Sequence, residues 1–307
     1  MNTSQARVID PILTSHARGF LKNTNVGHLL FPKVPVSQRG GNVIEFGKEA
    51  FQKYNAKRTP GSNTKRISFG YVGKPFALVQ EALEGTVPFE HLEDANRVPG
   101  IDLGKRSINL TMDVLENQLE IEQAELATSA ANYDTDNKKI LSGTSLWTDT
   151  ANSKPITDIE NAKEAVRGKV GVRPNTIIFS AKKWREFRNH PSVIARFANK
   201  NDAQVTVSKE MAADLLEVKT VAVGDAVYAD TNGDFVDVWG DGVVVAYVAE
   251  SSVGAEQPSY GYTYVLDGNP AAESPYSDRN LKSWIYPVNY ERVPVQSGMA
   301  AGYLITE

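Results

Sequence analysis

The chain has 307 residues, 41% hydrophobic and 23% charged, which is enough apolar material for one elaborate domain or two ordinary ones. The formal net charge of −4 gives no global sign of a nucleic-acid-binding protein, and the absence of cysteine excludes disulfides, thiolate metal sites and thiol nucleophiles. The longest apolar run, 243–249, is far shorter than the ~20 residues of a membrane helix, and the polar beginning lacks a signal-peptide core. The sequence therefore predicts a protein of the cytosol where it is made, with no membrane contact.

Residues 1–40 alternate prolines, glycines and short apolar clusters without a helical period. Pro32 and Pro35 bias the residues before them toward extended backbone. Such a segment cannot bury its own apolar side chains, so it either frays or lies along another surface, such as a neighbouring subunit. Disordered tails are poor in large apolar residues, which favours an arm over a frayed end. The candidate contact residues of this arm are Leu29, Leu30, Phe31, Val34 and Val36.

Residues 42–83 change to a period of two, which predicts two long strands joined by a turn at Pro60-Gly61. An isolated two-stranded hairpin is marginal in water, so this one is expected to lie across an acidic neighbouring subunit. Nucleic-acid binding by its basic tip is the alternative interpretation. The basic residues, which are the candidate contacts, are Lys48, Lys53, Lys57, Arg58, Lys65 and Arg66.

A long helix follows the irregular crossover that we predict for 83–88. Asp102 is placed to cap this helix, which runs to about Asn132 as a rod of roughly 45 Å. Apolar spacing of three to four predicts one buried side made of two adjacent stripes. The first stripe includes Ile108, Met112, Leu115 and Leu119, and the second includes Leu110, Val114, Ile121 and Ala124. The face predicted to be solvated carries Asn109, Asp113, Glu116, Glu120 and Gln123.

The hydrophobic pattern from 155 to 249 indicates a mixture of helices and strands. Thr157 and Glu160 have the spacing of a capping box, which predicts the start of a helix that ends near Gly168. Ser180 and Ser208 are placed to cap two further helices. Predicted strands cover 176–179, 219–223, 235–239, 243–248 and 260–266, and the stretch from 284 to 305 is β again.

The sequence contains no catalytic motif, and we predict no catalytic, cofactor-binding or metal-binding residue. Its four histidines are scattered and have no cysteine to complete a zinc set. His91, with Glu93 and Asp94, could form part of a metal site, but a solvated loop is the favoured interpretation. The run Asp230–Asp234 resembles a calcium loop, yet Phe235 stands where an EF-hand needs glycine, so a polar turn is favoured.

Several stretches together resemble the major capsid proteins of tailed phages, whose Hong Kong ninety-seven-type fold is shared with encapsulins. The resemblance covers nearly the whole chain and lies in the order of its parts. The stretches are DPIL at 10–13, LFPKVPV at 30–36, ALEGTVP at 82–88, ITDIENAKEAV at 156–166, WREFRNHP at 184–191 and GDAVY at 224–228.

The resemblance implies an α+β fold in four parts. These are an N-terminal arm at 1–40, an extended β-hairpin called the E-loop at 41–83, a peripheral domain at 84–154 and 281–307 that contains the long spine helix, and a mixed α/β axial domain at 155–280. It implies a virion protein that forms hexamers and pentamers of an icosahedral head. The basic E-loop tip would lie against Asp113, Glu116 and Glu120 of a neighbour's spine helix.

The same resemblance sets expectations for partners. The head would enclose double-stranded DNA, contacted non-specifically, and the protein would be synthesised in the cytoplasm of a bacterial host. Because Met1 leads almost directly into the arm, scaffolding is expected to be a separate protein, beside a portal and a possible decoration protein. We expect no lysine–asparagine crosslink between subunits.

Two alternatives remain open at the level of sequence. An encapsulin, the shell of a nanocompartment that encloses a cargo enzyme, would have the same fold. An α/β ligand-binding or hydrolytic protein would instead need a pocket with convergent titratable groups.

Overall fold

The computed structural model describes residues 9–20, 22, 24–45, 72–97, 102–197, 206–249 and 259–307. The basic E-loop residues predicted as contacts, Lys48, Lys53, Lys57, Arg58, Lys65 and Arg66, lie outside the described residues. The helices are α1 (Pro11–Arg18), α2 (Phe89–Asn96), α3 (Leu103–Thr128), α4 (Pro155–Val170), α5 (Ala181–Arg188), α6 (Pro191–Phe197) and α7 (Lys209–Leu216), with short 3-10 turns between some of them.

In the described residues the strands form two large sheets and two two-stranded sheets. In chain order they are β1 (Lys33–Val36), β2 (Gly40–Glu45), β3 (Val72–Ala77), β4 (Val79–Pro88), β5 (Lys138–Ile140), β6 (Thr176–Ser180), β7 (Thr220–Gly224), β8 (Val227–Ala229), β9 (Phe235–Asp237), β10 (Val243–Ala246), β11 (Tyr262–Leu266), β12 (Ala271–Ala272), β13 (Tyr276–Asp278), β14 (Ser283–Val295) and β15 (Gly302–Thr306).

The first sheet is built around the long strand β14. β4, β11, β12 and β13 all pair with it in antiparallel fashion, and β1 adds to β11 in parallel. The pairing of β4 with β14 is the most extensive, since ten residues of β4 are in register from Val79 opposite Arg292 to Pro88 opposite Ser283. The buried guanidinium of Arg292 donates to Glu81 of β4 and Glu122 of α3, both at 2.7 Å, which joins the sheet to the helix.

The second sheet has the order β5-β15-β10-β6-β7. Its central strands β6 and β10 are buried along their whole length, so successive side chains enter two different cores. Ile177 and Phe179 point into a core with Trp147 and helices α4 to α7, whereas Ile178 points into a core shared with α3 and the N-terminal segment.

The spine helix α3 packs on both sheets. Near its start Ile108, Met112 and Leu115 cover the first sheet beside Val288 and Tyr290 of β14. Its later residues Ala124 and Ala127 pack against the second sheet, in the core that also holds Leu30 and Phe31. The helix therefore connects the two halves of the molecule.

The local predictions are confirmed where a single side chain caps a helix. Asp102 accepts the backbone N–H of Lys105 at the start of α3, and Ser180 and Ser208 cap α5 and α7. The base of the predicted hairpin is confirmed as the antiparallel pair β2–β3. The predicted strand 235–239 is shorter than expected, and its partner is β8.

Three local predictions are wrong. Residues 83–88 belong to strand β4 because ten backbone positions pair with β14. Helix α4 begins at Pro155, and its N-cap Lys154 makes no side-chain cap, so the Thr157 capping box does not form. The helix ends at Val170, close to the predicted end near Gly168, and Gly171 takes the left-handed conformation that ends helices. Finally, the arm contains helix α1, capped by Asp10.

The division into domains at 84–154, 155–280 and 281–307 stays a prediction, and the sheets group the strands as follows. Strand β15 and strand β5 lie in the second sheet, whereas β11 and β12 lie in the first. The α+β class itself is confirmed. Among the described residues, no helix combines the length and apolar character that crossing a membrane requires.

Candidate subunit interface

The acidic face predicted for the spine helix is largely used inside the chain. Glu120 is buried, and its carboxylate accepts N–H groups from Val26 at 2.9 Å, from Gly27 at 2.9 and 3.1 Å and from the indole of Trp239 at 2.7 Å. Burial raises the pKa of Glu120, although these donors act to lower it. The prediction that Glu120 is solvated is therefore wrong, because it joins the arm, the helix and the second half of the chain.

The other acidic residues of that face have partners within the chain as well. Glu116 is mostly buried and accepts the ammonium of Lys33 at 2.8 Å. Asp113 is half-exposed and lies 3.6 Å from the ammonium of Lys22. Gln123, also predicted to be solvated, is buried and donates to the hydroxyl of Thr263 at 2.9 Å. Of the three acids predicted to meet a neighbour, Asp113 alone keeps substantial exposure.

The apolar residues of the arm pack on their own chain. Leu30 and Phe31 are fully buried against α3 and Tyr260, and Val34 is buried beside Tyr262 and Tyr264. These three side chains have almost no exposed surface in the single subunit, and their contact with a neighbouring subunit stays a prediction. Leu29 and Val36 are half-buried, and their contact with another subunit stays a prediction.

A different set of apolar side chains is exposed beside the spine helix. Leu110 and Val114, predicted to be buried, are 66% and 52% exposed. They line an open groove together with Leu83 of β4. The groove floor is tight, since a Cβ added at Gly85 would lie 2.0 Å from Ser107 Oγ of the helix. We call the surface formed by Leu83, Leu110 and Val114 the open groove.

Strand β4 borders the open groove and has one paired side. Its opposite edge has no strand partner among the described residues, and nearly all of its residues are exposed or half-buried. A long strand edge with free N–H and C=O groups is a template for pairing with another chain. Sequence reasoning missed this edge because it assigned 83–88 to an irregular crossover.

A second exposed feature is the hairpin of β8 and β9. Within the described part of the chain the two strands pair only with each other, and all six of their residues are exposed. The Asp230 carboxylate accepts the N–H groups of Asn232 and Asp234 at 2.8 and 3.0 Å, and these bonds lower the pKa of Asp230. The calcium-like run is thus a turn whose first carboxylate already binds backbone.

The remaining metal hypothesis concerned His91, Glu93 and Asp94, which lie on helix α2. Within the described ranges, no group of three or more His, Asp and Glu side chains is arranged to hold a metal ion. The exposed surfaces that these ranges offer are the open groove, the β4 edge and the β8–β9 hairpin.

Solved structures that share this fold include phage capsid proteins and an encapsulin. A phage-related protein from Bordetella bronchiseptica RB50 matches with a TM-score of 0.85 and 46% identity, and the match covers 98% of each chain. The virus-like particle of Pyrococcus furiosus shares the fold with a TM-score of 0.54 at 10% identity over 95% of each chain. The mature capsid of bacteriophage PhiM1 does so with 0.54 at 12% identity, over 94% of this chain and 88% of that one. The fold is the Hong Kong ninety-seven type of phage capsids and encapsulins.

The family is identified by sequence. The family model for phage major capsid protein E matches residues 103–257. The major capsid protein of Burkholderia phage BcepMu is 33% identical over 307 residues, which cover 99% of this chain and 97% of that protein. The chain belongs to the phage major capsid proteins. The predicted function, a structural subunit of a phage capsid, is confirmed at this level, and the encapsulin alternative is not favoured.

Proposed function

We propose that copies of this chain assemble into hexamers and pentamers, which close into an icosahedral phage head around double-stranded DNA and carry out no chemistry. The observation that carries the proposal is the family match, supported by a fold likeness to a phage capsid over nearly the whole chain. The protein is a component of the virion and is synthesised in the cytoplasm of the bacterial host.

The open groove and the β4 edge are proposed as contacts with a second copy. Exposed apolar side chains that cluster in a groove mark interaction sites more often than single exposed residues do. Leu110 and Val114 lie on the exposed stripe of the spine helix, where other exposed residues such as Arg106 and Gln118 are polar, so these two large apolar side chains are the exception. In a shell the same contact recurs between many copies of the subunit. Multivalent contacts raise avidity even when each single contact is weak.

The basic E-loop residues are proposed to lie on an acidic surface of a neighbouring copy. On the spine helix the half-exposed Asp113 remains available for this role, whereas Glu116 and Glu120 are used internally. Exposed ion pairs contribute only ~0–1 kcal/mol each, so they orient the contact more than they stabilise it. The half-buried Leu29 and Val36 are proposed to add apolar contact.

Other partners are proposed from the resemblance. They are a separate scaffolding protein, a portal and a possible decoration protein, and the packaged DNA is contacted non-specifically. The net charge of −4 fits a shell that encloses DNA without gripping it over a broad basic surface. No lysine–asparagine crosslink is proposed, so intact heads should dissociate to single chains on denaturing gels.

Negative-stain electron microscopy of the purified protein tests this function, with and without co-expression of its neighbouring genes. Shells, tubes or rings are expected, and packaged DNA would separate a phage head from a cargo compartment. A stable monomer that never assembles under any of these conditions would contradict the proposal.

The open groove is tested by the pair Leu110→Ser and Val114→Ser in one chain. Both side chains are exposed, so the isolated subunit should fold normally, while assembly should require a higher subunit concentration. Ile140→Ser is the matched control, since Ile140 is 59% exposed on the edge strand β5 of the other sheet. Equal assembly of both variants would remove the groove from the interface.

A further inference from the structure

The β8–β9 hairpin presents apolar side chains on both of its faces. The exposed fractions are 41% for Val227, 37% for Tyr228, 79% for Phe235 and 38% for Val236. Tyr228 lies opposite Val236, and Phe235 lies opposite Ala229, so each face carries part of the patch. A two-stranded hairpin with no sheet or helix over it is marginal in water and gains stability when another surface covers it.

The hairpin is nevertheless held in one shape at both ends. At its tip Gly233 has a φ of +88°, and the backbone N–H of Asp230 donates to the carbonyl of Asp234 at 2.9 Å. At its root Trp239 is buried, and its indole donates to Glu120 of the spine helix. Gly224 makes room for this indole, since a Cβ there would lie 2.1 Å from it. A preorganised element loses little entropy when a partner binds.

The hairpin is also acidic. Residues 220–249 include five aspartates and no lysine or arginine. Asp225, Asp234 and Asp237 are exposed, and none of them forms an ion pair within the described part of the chain. Asp241 is also half-exposed, and it is paired with Lys182 at 3.0 Å, as Asp113 of the spine helix is paired with Lys22. The surface therefore fits a partner that is basic and carries apolar or aromatic side chains.

The chain itself contains such a segment. Residues 46–71 carry six basic residues, listed above as the predicted E-loop contacts, against the single acid Glu49, and they include five aromatic residues. We propose that the β8–β9 hairpin is the acidic surface that receives segment 46–71 of a neighbouring copy. This inference rests on the proposed assembly of identical subunits. It assigns an acidic docking surface outside the spine helix, where Asp113 is the one predicted acidic contact with substantial exposure.

Charge reversal tests the electrostatic part. Asp234→Lys with Asp237→Lys should raise the subunit concentration needed for assembly about tenfold at low salt, and the difference should shrink at high salt. Adding Lys57→Glu and Arg58→Glu to the same chain should recover most of the loss. Asp214→Lys, on the exposed face of α7, is the matched control and should assemble normally. Failure of the reversed pair to recover, with normal folding, would count against the docking.

Crosslinking tests whether the contact joins two copies. Because the chain has no native cysteine, only the introduced cysteines can form a disulfide. Subunits carrying Asp234→Cys are mixed with subunits carrying Lys57→Cys, assembled and oxidised. A band of twice the subunit mass is expected on non-reducing gels, while Asp214→Cys in place of Asp234→Cys should give none. A small panel of partner positions, including Arg58→Cys and Lys53→Cys, covers differences in register.

The outcomes separate the two proposals. Shells that form without any mixed crosslink across the panel overturn the docking inference and leave the proposed function standing. A chain that forms no shell at all overturns the proposed function, and the docking inference fails with it.

Discussion

The two sheets of this capsid protein are covered to different extents. In the second sheet, both faces of β6 and β10 enter cores, and helices α4 to α7 enclose one side. In the first sheet, α3 covers one face of β14, while the long edge strand β4 and the neighbouring open groove remain exposed. The second sheet is thus closed within the single subunit, whereas the more open first sheet has the exposed surface that we propose for contacts with other copies.

This division has a physical basis. Burial stabilises by roughly 25 cal/mol per Å² of apolar surface, and the closed sheet obtains that burial within one chain. The exposed apolar side chains of the open groove can be buried further only by contact with a partner. The comparison predicts that substitutions around the second sheet act on folding, whereas substitutions in the open groove act on assembly.

Trp147→Ala should show the largest effect on folding. Trp147 is buried between Phe179 and Phe187 in the closed sheet's core, and its indole donates to Asp158 at 3.0 Å. Truncation of a buried tryptophan costs about 3–5 kcal/mol. Denaturant unfolding of the unassembled subunit measures this cost. A loss of unfolding free energy below about 1 kcal/mol would show that the core of the second sheet contributes less to the stability of the subunit than its burial implies.

Leu115→Ala and Leu110→Ala compare two leucines on the spine helix. Leu115 is 2% exposed and Leu110 is 66% exposed. The first substitution should cost about 2–5 kcal/mol of unfolding free energy, and the second should stay within about 0.5 kcal/mol. The same unfolding experiment measures both. Similar costs for the two variants would mean that the helix is rotated relative to the described arrangement.

The smallest expected effect is a pH dependence at Glu120, which joins the two halves. Because the folded pKa of Glu120 is raised by burial, its contribution to stability is present at low pH and is lost as the pH rises above the ordinary glutamate pKa of about 4.3. Wild type should therefore lose stability relative to Glu120→Gln as the pH increases toward neutrality. Unfolding free energies measured for both proteins over this range test the slope. A constant difference between them would contradict the raised pKa.

Local signals predicted much of the secondary structure. Asp102, Ser180 and Ser208 each cap a helix as expected, because an N-cap depends on residues within three positions. The order of these elements, together with the quoted stretches, was enough to indicate the capsid fold. At Thr157 two local signals competed, and Pro155 at the first helical position determined the helix start.

The rotation of the spine helix could not be predicted in the same way. Glu120 and Gln123 have polar side chains, and a polar stripe at helical spacing usually faces solvent. Their partners Gly27, Trp239 and Thr263 lie 93, 119 and 140 residues away in the chain, so no local pattern reveals them. The exposure of Leu110 and Val114 follows from the same rotation. The candidate interface was therefore the least predictable part.

The pairing of β4 with β14 has a consequence for the order of events on the ribosome. Strand β4 is translated long before its partner, since Val79 pairs with Arg292 and Pro88 with Ser283. Contacts between such distant residues form late, and domains are synthesised at only about 5–20 residues per second. The nascent chain thus carries an incomplete first sheet for most of its synthesis. The surface proposed for assembly takes its final shape only after β14 emerges from the ribosome. We therefore expect association between neighbouring nascent chains on one mRNA to be delayed.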